Sequence, residues 1–401
     1  HFKSSLDSGK QDDWALVADI RKISAGFLLQ LLTDDTFQQQ ITTKGIRLEG
    51  ALFEEDIDLE HFVIPFQLWF ENCRFQGSLQ LLNFTIHGWF SLENSCIEGN
   101  LDLNGALLNS FVSFNKIELS GTLDMLNSNV GASLDMQNCI LKGEVLLSYV
   151  QVAKNLNLIN AEAFKPFLLK SARVEGSLDL SNCLIHDLLD MNSIYVGTNL
   201  FLRQEENASD RTVFQGINLN YAEIGGVVEF TSARIDSNLE MGVVNIKNHL
   251  MMKDIKVGGE LNLSYGSITG ILELTGAQLD GACNCNSMQV NGNFFVNGKA
   301  LLKQGFSMIN TEIGGLVDMN DSEFSDKVNF NSAKIEGTLF AKNAKFTEIE
   351  LVNAFVNGSL EIDQSIISIE ANFNSLNVAQ DLFLKNKASF PKLVLANSDV
   401  N

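Results

Sequence analysis

Residues 176–185 read Gly-Ser-Leu-Asp-Leu-Ser-Asn-Cys-Leu-Ile, and variants of this stretch recur along most of the chain. Its leucines at 178 and 180 are separated by one polar residue, which is the two-residue period of a β-strand and not the period of a helix. The first of these apolar positions recurs every 11 residues from Ile46 to Leu200. A short strand repeated at a fixed interval predicts a solenoid whose strands stack along one axis.

The series continues beyond Leu200 with three changes in spacing. The polar and charged stretch 203–216 interrupts it, and we interpret that stretch as a loop. The series resumes at Ile217, gains one residue before Phe306, loses one before Ile349 and ends with the unit that begins at Leu393. The chain therefore contains 32 units, and one core can run through all of them without dividing the 401 residues into several globular domains.

Each unit has further apolar positions after the first two. The position five residues after the first prefers small side chains such as Ala106 and Cys139, and the position two further on prefers large ones such as Ile185. Since one unit cannot enclose a core, we expect two units to form a coil of about 22 residues with four short sides. This predicts about 16 coils and a rod about 75 to 80 Å long. A coil of three units, giving a shorter and fatter rod, is the alternative.

Glycine often stands two residues before the first position, as at Gly121, Gly143 and Gly176. Glycine tolerates backbone angles that other residues avoid, and it leaves room where two backbones approach each other. We therefore expect a corner of the coil at this position, with either unusual angles or no space for a side chain.

Residues 176–185, and residues 270–279 with the sequence Gly-Ile-Leu-Glu-Leu-Thr-Gly-Ala-Gln-Leu, resemble the bacterial pentapeptide-repeat proteins. The resemblance implies an all-β, right-handed, quadrilateral parallel β-helix. Residues 44–53 and 64–75 more closely resemble uncharacterised bacterial repeat proteins often labelled membrane-associated oxidoreductases. The repeat departs from the plain pentapeptide pattern in having 11 residues per pair of sides instead of 10. No nucleotide-binding glycine motif joins a strand to a helix, so the residues give the oxidoreductase label no support.

The first 40 residues lack the repeat, and we assign 1–40 to an N-terminal helical cap and 41–401 to the β-helix. Apolar residues at helical spacing, among them Trp14, Ile20 and Phe27, predict an amphipathic helix over about 12–33. Such a helix would cover the open end of the stack, where strand edges are unpaired. A helix that binds a membrane surface or a partner is the alternative.

The net charge of −21 argues against direct binding of nucleic acid, which requires lysine or arginine against the phosphates. No stretch approaches the roughly 18 consecutive apolar residues that a membrane-spanning helix needs. We therefore expect no transmembrane segment and a cytoplasmic protein, with any membrane association made through a region outside this chain.

The cysteines and histidines do not predict an active site. Cys73, Cys139, Cys183, Cys283 and Cys285 fall on inward positions and are predicted to be core residues, whereas Cys96 lies one place off and is undecided. His87 and His186 fall at equivalent corner positions, and no histidine has a repeating partner that acid–base catalysis would use. We therefore predict no catalytic, metal-binding or cofactor-binding residues and no enzymatic activity.

One outward pattern predicts an interaction surface. If a coil holds two units, one face from Leu200 onward alternates acidic residues with five large apolar ones. The five apolar residues form a candidate interaction strip: Phe201, Met251, Phe295, Phe340 and Phe383. Exposed apolar side chains in a row favour docking or dimerisation. Burial of these side chains under a loop such as 203–215 is the alternative.

These features predict a non-enzymatic scaffold that binds a protein partner or a second copy of itself through a lateral face. The alternative is an acidic mimic of DNA that inhibits a DNA-binding enzyme such as gyrase. Duplex DNA carries one charge per about 1.7 Å, so a rod of about 77 Å would need about 45 charges. The net charge of 21 is less than half of that.

Overall fold

The computed structural model describes residues 21–42, 44–205, 212–386 and 388–400. These residues form an all-β parallel solenoid of 16 coils, which confirms the predicted fold class. Within the regular series, each residue pairs with the residue 22 positions later, as Ile46 pairs with Leu68 and Leu134 with Leu156. Two units therefore make one coil, and the alternative of three units per coil is wrong.

Each coil carries four short strand positions, which we number face 1 to face 4 in chain order. Face 1 is a 16-stranded parallel sheet. Its strands are Ile46–Glu49, Leu68–Glu71, Phe90–Ser91, Val112–Ser113, Leu134–Asp135, Leu156–Asn157, Leu178–Asp179, Leu200–Phe201, Val228–Glu229, Leu250–Met251, Leu272–Glu273, Phe294–Phe295, Val317–Asp318, Leu339–Phe340, Leu360–Glu361 and Leu382–Phe383.

Face 4 is a second 16-stranded parallel sheet. Its strands are Val63–Ile64, Thr85–Ile86, Leu107–Leu108, Asn129–Val130, Gln151–Val152, Arg173–Val174, Tyr195–Val196, Glu223–Ile224, Asn245–Ile246, Ser267–Ile268, Gln289–Val290, Glu312–Ile313, Lys334–Ile335, Phe355–Val356, Asn377–Val378 and Asp399–Val400.

Faces 2 and 3 form one sheet of 26 strands, because five longer strands run across the corner between them. The strands that cross are Leu184–Asp190, Val213–Asn218, Glu323–Asn329, Lys345–Glu350 and Ile366–Asn372. The strands on face 2 alone are Leu52–Phe53, Arg74–Phe75, Cys96–Ile97, Glu118–Leu119, Ile140–Leu141, Glu162–Ala163, Arg234–Ile235, Lys256–Val257, Gln278–Leu279 and Leu301–Leu302. Those on face 3 alone are Ile57–Asp58, Leu79–Gln80, Leu101–Asp102, Leu123–Asp124, Val145–Leu146, Phe167–Leu168, Leu239–Glu240, Leu261–Asn262, Cys283–Asn284, Phe306–Ser307 and Leu393–Val394.

The core follows the predicted inward positions. Leu178, Leu180 and Cys183 are fully buried, and Ile185 is almost so. Backbone hydrogen bonds join each coil to the next, as when the Leu178 amide donates to the Asn199 carbonyl oxygen at 3.0 Å. Apolar side chains therefore stack in continuous columns inside the rod, and their burial stabilises every coil against its neighbours.

The left-handed backbone of the corners lies at a position that the sequence did not indicate. The residue four places after the first position has a left-handed φ in nearly every unit, and 12 of these residues are asparagine, such as Asn138 at φ 57°. Asparagine tolerates this region better than most residues do. The glycines two places before the first position do not adopt it. At Gly121 an added Cβ would collide with the Gly99 carbonyl oxygen, so lack of space is the correct explanation for glycine and unusual angles the wrong one.

Helix α1 spans Ala25–Thr33 and helix α2 spans Asp35–Gln38. The helix predicted over about 12–33 is wrong as a continuous element, because Lys22 pairs with Leu52 as a β-bridge and Ser24 is extended. The Ser24 hydroxyl accepts a hydrogen bond from the Phe27 amide and caps α1. The part of the prediction before residue 21, including Trp14 and Ile20, lies outside the described residues.

The described helix joins the core near the first coil. Leu28 and Leu32 of α1 are buried in the same hydrophobic core as the strands. Phe27, predicted on the apolar face, is instead 53% exposed. The first coil thus receives apolar cover from α1, with a different set of side chains from the one that helical spacing indicated.

The stretch 203–216 is only partly a loop. Strand Val213–Asn218 continues the sheet of faces 2 and 3, and Phe214 is fully buried opposite Ile185. The predicted loop is therefore wrong from 213 onward. The Thr212 hydroxyl donates to the Arg203 carbonyl oxygen at 3.1 Å. Residues 206–211 lie outside the described residues.

Two glycine substitutions test the account of the corners. Gly121→Ala should destabilise the fold by about 1 to 3 kcal/mol, because the new methyl group collides with backbone of the neighbouring coil. Gly26→Ala in α1 is the control, since nothing lies within 4 Å of its added Cβ and alanine favours helix. Denaturant midpoints should fall for Gly121→Ala only, and equal midpoints for the two variants would contradict the close approach of the coils.

Candidate interaction surfaces

The five residues of the strip lie in one column on face 1. Phe201 pairs with Glu229, and Glu229 with Met251, so that apolar and acidic residues alternate from coil to coil. The same register continues to Phe383 through nine successive coils. The structure therefore places the predicted residues next to one another with one carboxylate between each pair.

The side chains of the strip are half-buried, so they are less exposed than the sequence analysis expected. Cations that follow two residues later in the chain cover three of the rings. The Arg203 guanidinium lies 4.6 Å from the Phe201 ring centre, and the Lys385 ammonium lies 4.0 Å from that of Phe383. Lys342 lies 5.2 Å from the Phe340 ring. These distances are those of cation–π contacts.

The same cations also pair with carboxylates of the neighbouring coil. Arg203 Nη1 lies 2.6 Å from Glu229 Oε2, and Lys342 Nζ lies 2.5 Å from Glu361 Oε2. Ring, cation and carboxylate thus form a triad that spans two coils. Such triads hold the side chains of face 1 in fixed positions and offset the repulsion between stacked carboxylates.

Phe295 differs from the other rings of the strip. Asn297 follows it where the others have a cation, and this amide donates to Asp318 Oδ2 at 2.8 Å. No cation–π contact to Phe295 occurs among the described residues. The middle of the strip therefore offers an aromatic ring to a partner without a competing cation.

All six cysteines are free thiols. The five predicted as core are buried, and Cys96 points outward from face 2 in a half-buried position. Burial raises the pKa of the Cys73 thiol to about 11 and that of Cys139 to about 12. The hydrogen bond between Cys283 and Cys285, followed by burial, raises the pKa of Cys283. These thiols are therefore packed as small apolar groups.

The histidines are separated along the rod. His87 and His186 are exposed, as predicted for corner residues, and His1 lies outside the described residues. His186 Nε2 lies 2.9 Å from Glu162 Oε1, and its ring stacks on Phe164 with 4.8 Å between the centres. Within the described ranges, no group of three or more histidine, cysteine or acidic side chains is arranged to hold a metal ion.

The structure adds a row of residues that the sequence analysis missed. Tyr149, Tyr221, Val243 and Tyr265 occupy the left-handed corner position between faces 3 and 4, and all four are exposed. The signal was present in the sequence, because these residues stand four places after the first position, where asparagine or serine is usual. It was missed because that position had not been recognised as the corner.

The fold defines a class, the parallel β-solenoid proteins. We found no match to this chain among protein family models, curated proteins or solved structures. No helix in the described part of the chain is long and apolar enough to cross a membrane.

Thiol reactivity tests the placement of the cysteines. A disulfide reagent such as DTNB should modify no more than one thiol of the native protein, and Cys96→Ser should remove that reaction. Burial, reinforced by Glu118, raises the Cys96 pKa above its ordinary value of 9.0, so the rate should be low at pH 8 and climb as the pH rises past 9. After unfolding, all six thiols should react. Rapid modification of several thiols in the native state would contradict their burial.

Proposed function

We propose that this protein is a non-enzymatic scaffold that associates through face 1, and that its partner there is a second copy of the chain. The column of nine outward residues carries the proposal. It reads Phe201, Glu229, Met251, Glu273, Phe295, Asp318, Phe340, Glu361 and Phe383. This order is symmetric about Phe295, because an acidic residue stands one and three coils away on both sides and an apolar residue two and four coils away.

The flanking cations repeat the same symmetry. Arg203 and Lys385 lie four coils from the coil of Phe295, on opposite sides, and Lys253 and Lys342 lie two coils from it. A twofold axis through Phe295 would therefore place apolar residues of one copy against apolar residues of an antiparallel copy, and acidic residues against acidic residues. Arg203 and Lys342 pair with Glu229 and Glu361 within each chain, which offsets part of that repulsion. A surface that meets itself in this way is what a symmetric dimer requires.

Charge supports a second copy at this face. The column and the residues two places after it contain the four cations together with Glu229, Glu273, Asp318, Glu361 and Asp363. Four positive charges against five negative ones leave this surface nearly neutral, although the whole chain carries −21. Two copies therefore repel each other less here than an average surface of this chain would.

Rigidity also supports binding through the strip. Every strand from Phe201 to Phe383 except the last is hydrogen-bonded on both sides, and the triads fix several side chains. A partner that binds a preformed row loses little conformational entropy on the scaffold side. The row is about 38 Å long at 4.8 Å per coil, enough to provide the central contacts of an interface of ordinary size.

We further propose that the chain is related to the bacterial pentapeptide-repeat proteins and shares their right-handed coil. The four-sided coils and the sequence resemblance support this relation, and parallel strand connections are nearly always right-handed.

We propose the cytoplasm as its compartment, since six cysteines without a disulfide suit a reducing environment. The alternative of a DNA mimic, which inhibition of gyrase supercoiling would reveal, is less favoured because cations pair with acidic residues such as Glu229 and Glu361.

Replacing two rings of the strip tests the proposal. Phe295→Ser with Phe340→Ser should abolish self-association and leave the melting temperature nearly unchanged, because both side chains point away from the core. Light scattering over a range of concentrations would measure the mass of both proteins. Leu146→Ser with Leu168→Ser on face 3 is the matched control, since these outward apolar residues lie outside the strip.

A dimer in the wild type and in the control, with a monomer in the strip variant, is the expected result. An equal mass for wild type and strip variant would overturn the assignment of the strip to self-association. If the wild type is a monomer throughout, the second copy is excluded. The strip would then retain a role only if the wild type binds a different protein that the Phe295→Ser, Phe340→Ser variant does not bind.

A further inference from the structure

A second exposed row lies at the corner between faces 3 and 4. We call Tyr221, Val243 and Tyr265 the corner ridge; they stand at the same corner of three successive coils and are 62%, 44% and 67% exposed. At the corner between faces 1 and 2, none of the described left-handed residues is apolar or aromatic. Among the described left-handed residues, large apolar and aromatic side chains therefore occur only at the corner between faces 3 and 4.

The backbone of the ridge is strained for the residues that it carries. All three residues have a left-handed φ, between 58° and 62°. This conformation is costly for side chains larger than asparagine and most of all for β-branched valine. Because the side chains are exposed, burial in this chain does not offset the cost. The strain therefore stays uncompensated within this chain at these three positions, as it does at Tyr149.

The outward residues beside the ridge include two carboxylates and no cation. The outward residues beside it are Asn218, Glu240 and Asn262 on face 3 and Glu223, Asn245 and Ser267 on face 4. Glu240 accepts a hydrogen bond from the Asn262 amide at 3.0 Å. Neither Glu240 nor Glu223 forms an ion pair within the described residues. The exposed Glu223 and the half-buried Glu240 thus lie on the coils of Tyr221 and Val243 without an ion pair in the described part of the chain.

Elsewhere on the surface the same combination of groups holds a cation. Arg173 lies 3.9 Å from the ring centre of Tyr195 and pairs with Glu175 at 2.5 Å. The triads of Arg203 and Lys342 on face 1 have the same composition. The corner ridge supplies the ring and the carboxylate of such a triad and lacks its third member.

We propose that the corner ridge binds basic side chains of an extended segment of a partner protein. Tyr221 and Tyr265 are two coils apart, which is about 9.6 Å at the spacing of stacked strands. A chain in the extended polyproline II conformation advances about 3.1 Å per residue with three residues per turn, so basic residues three positions apart lie on the same side, about 9.3 Å apart, and would reach both rings. Each guanidinium would stack on a tyrosine and approach Glu223 or Glu240. This site is independent of the strip on face 1.

A labelled peptide with the sequence Gly-Arg-Gly-Gly-Arg-Gly tests the site by fluorescence polarisation at physiological salt. The same peptide with citrulline in place of arginine is the neutral control probe. Tyr221→Ser with Tyr265→Ser should weaken binding of the arginine peptide about tenfold, because two cation–π contacts are lost. Both substitutions preserve the net charge, so unspecific attraction to an acidic protein stays the same.

Tyr149→Ser is the matched control variant. Tyr149 lies at the same corner, is 57% exposed and has a left-handed φ, but the outward residues beside it are Leu146 and Gln151 in place of carboxylates. It should bind the peptide as the wild type does. Equal affinity of the wild type and the double variant, or equal affinity for the citrulline peptide, would overturn the proposal. Light scattering of these variants should show the mass of the wild type, which separates this test from that of the strip.

Val243→Asn tests whether strain and binding are linked. Asparagine adopts the left-handed conformation at a lower energetic cost than valine, so the melting temperature should rise. The peptide would lose its apolar contact with Val243, which lies between the two tyrosines, so peptide binding should weaken severalfold. Ser332→Asn, at the same corner and also left-handed, is the control and should leave peptide binding unchanged. A more stable variant with undiminished affinity would remove Val243 from the site.

Discussion

The structure depends on the backbone hydrogen bonds that join each coil to the next at an offset of 22 residues. The amides of Leu178 and Leu180 donate to carbonyl oxygens of the following coil at 3.0 and 2.7 Å, and the same pattern recurs along the rod. This register leaves little freedom to the side chains, because each inward residue must stack on its counterpart and each outward residue must stand about 4.8 Å from the next. The surface columns are therefore a direct consequence of the register.

Outward side chains of like charge repel each other at this spacing, so each outward column must separate or neutralise its charges. Carboxylates in adjacent coils would repel each other, and the strip avoids this by alternating acids with apolar residues and by adding Arg203 and Lys342. On face 3 amides do the same, since Asn218 donates to Asp190 Oδ1 at 3.1 Å. On face 1 this arrangement leaves five large apolar side chains half-buried in one column. The requirement to neutralise charge accounts for the alternation, and it does not account for the choice of phenylalanine.

The sequence predicted what depends on periodicity alone. The fold class, the number of coils, the five core cysteines and the column from Phe201 to Phe383 all follow once the period is known. Features that depend on backbone angles or on side-chain reach did not follow. For Gly121 and its equivalents the sequence left unusual angles and lack of space as alternatives, and it did not locate the left-handed corner. The strand at 213 was taken as loop because its neighbours are polar, and the cations over the rings were not foreseen. The corner ridge was missed because Val243 looked like an ordinary residue until its φ of 58° was known.

The two proposed surfaces are compatible with each other because of where they lie on a four-sided coil. Face 3 is opposite face 1, so the corner between faces 3 and 4 points away from a copy that is bound through the strip. A dimer formed at face 1 would therefore present two corner ridges to solvent. A partner with two basic segments could engage both ridges, and the second contact would benefit from the high effective concentration that the first creates. Weak binding at one ridge would then suffice for stable recruitment, so the proposed self-association would compensate for the few contacts that a single ridge offers.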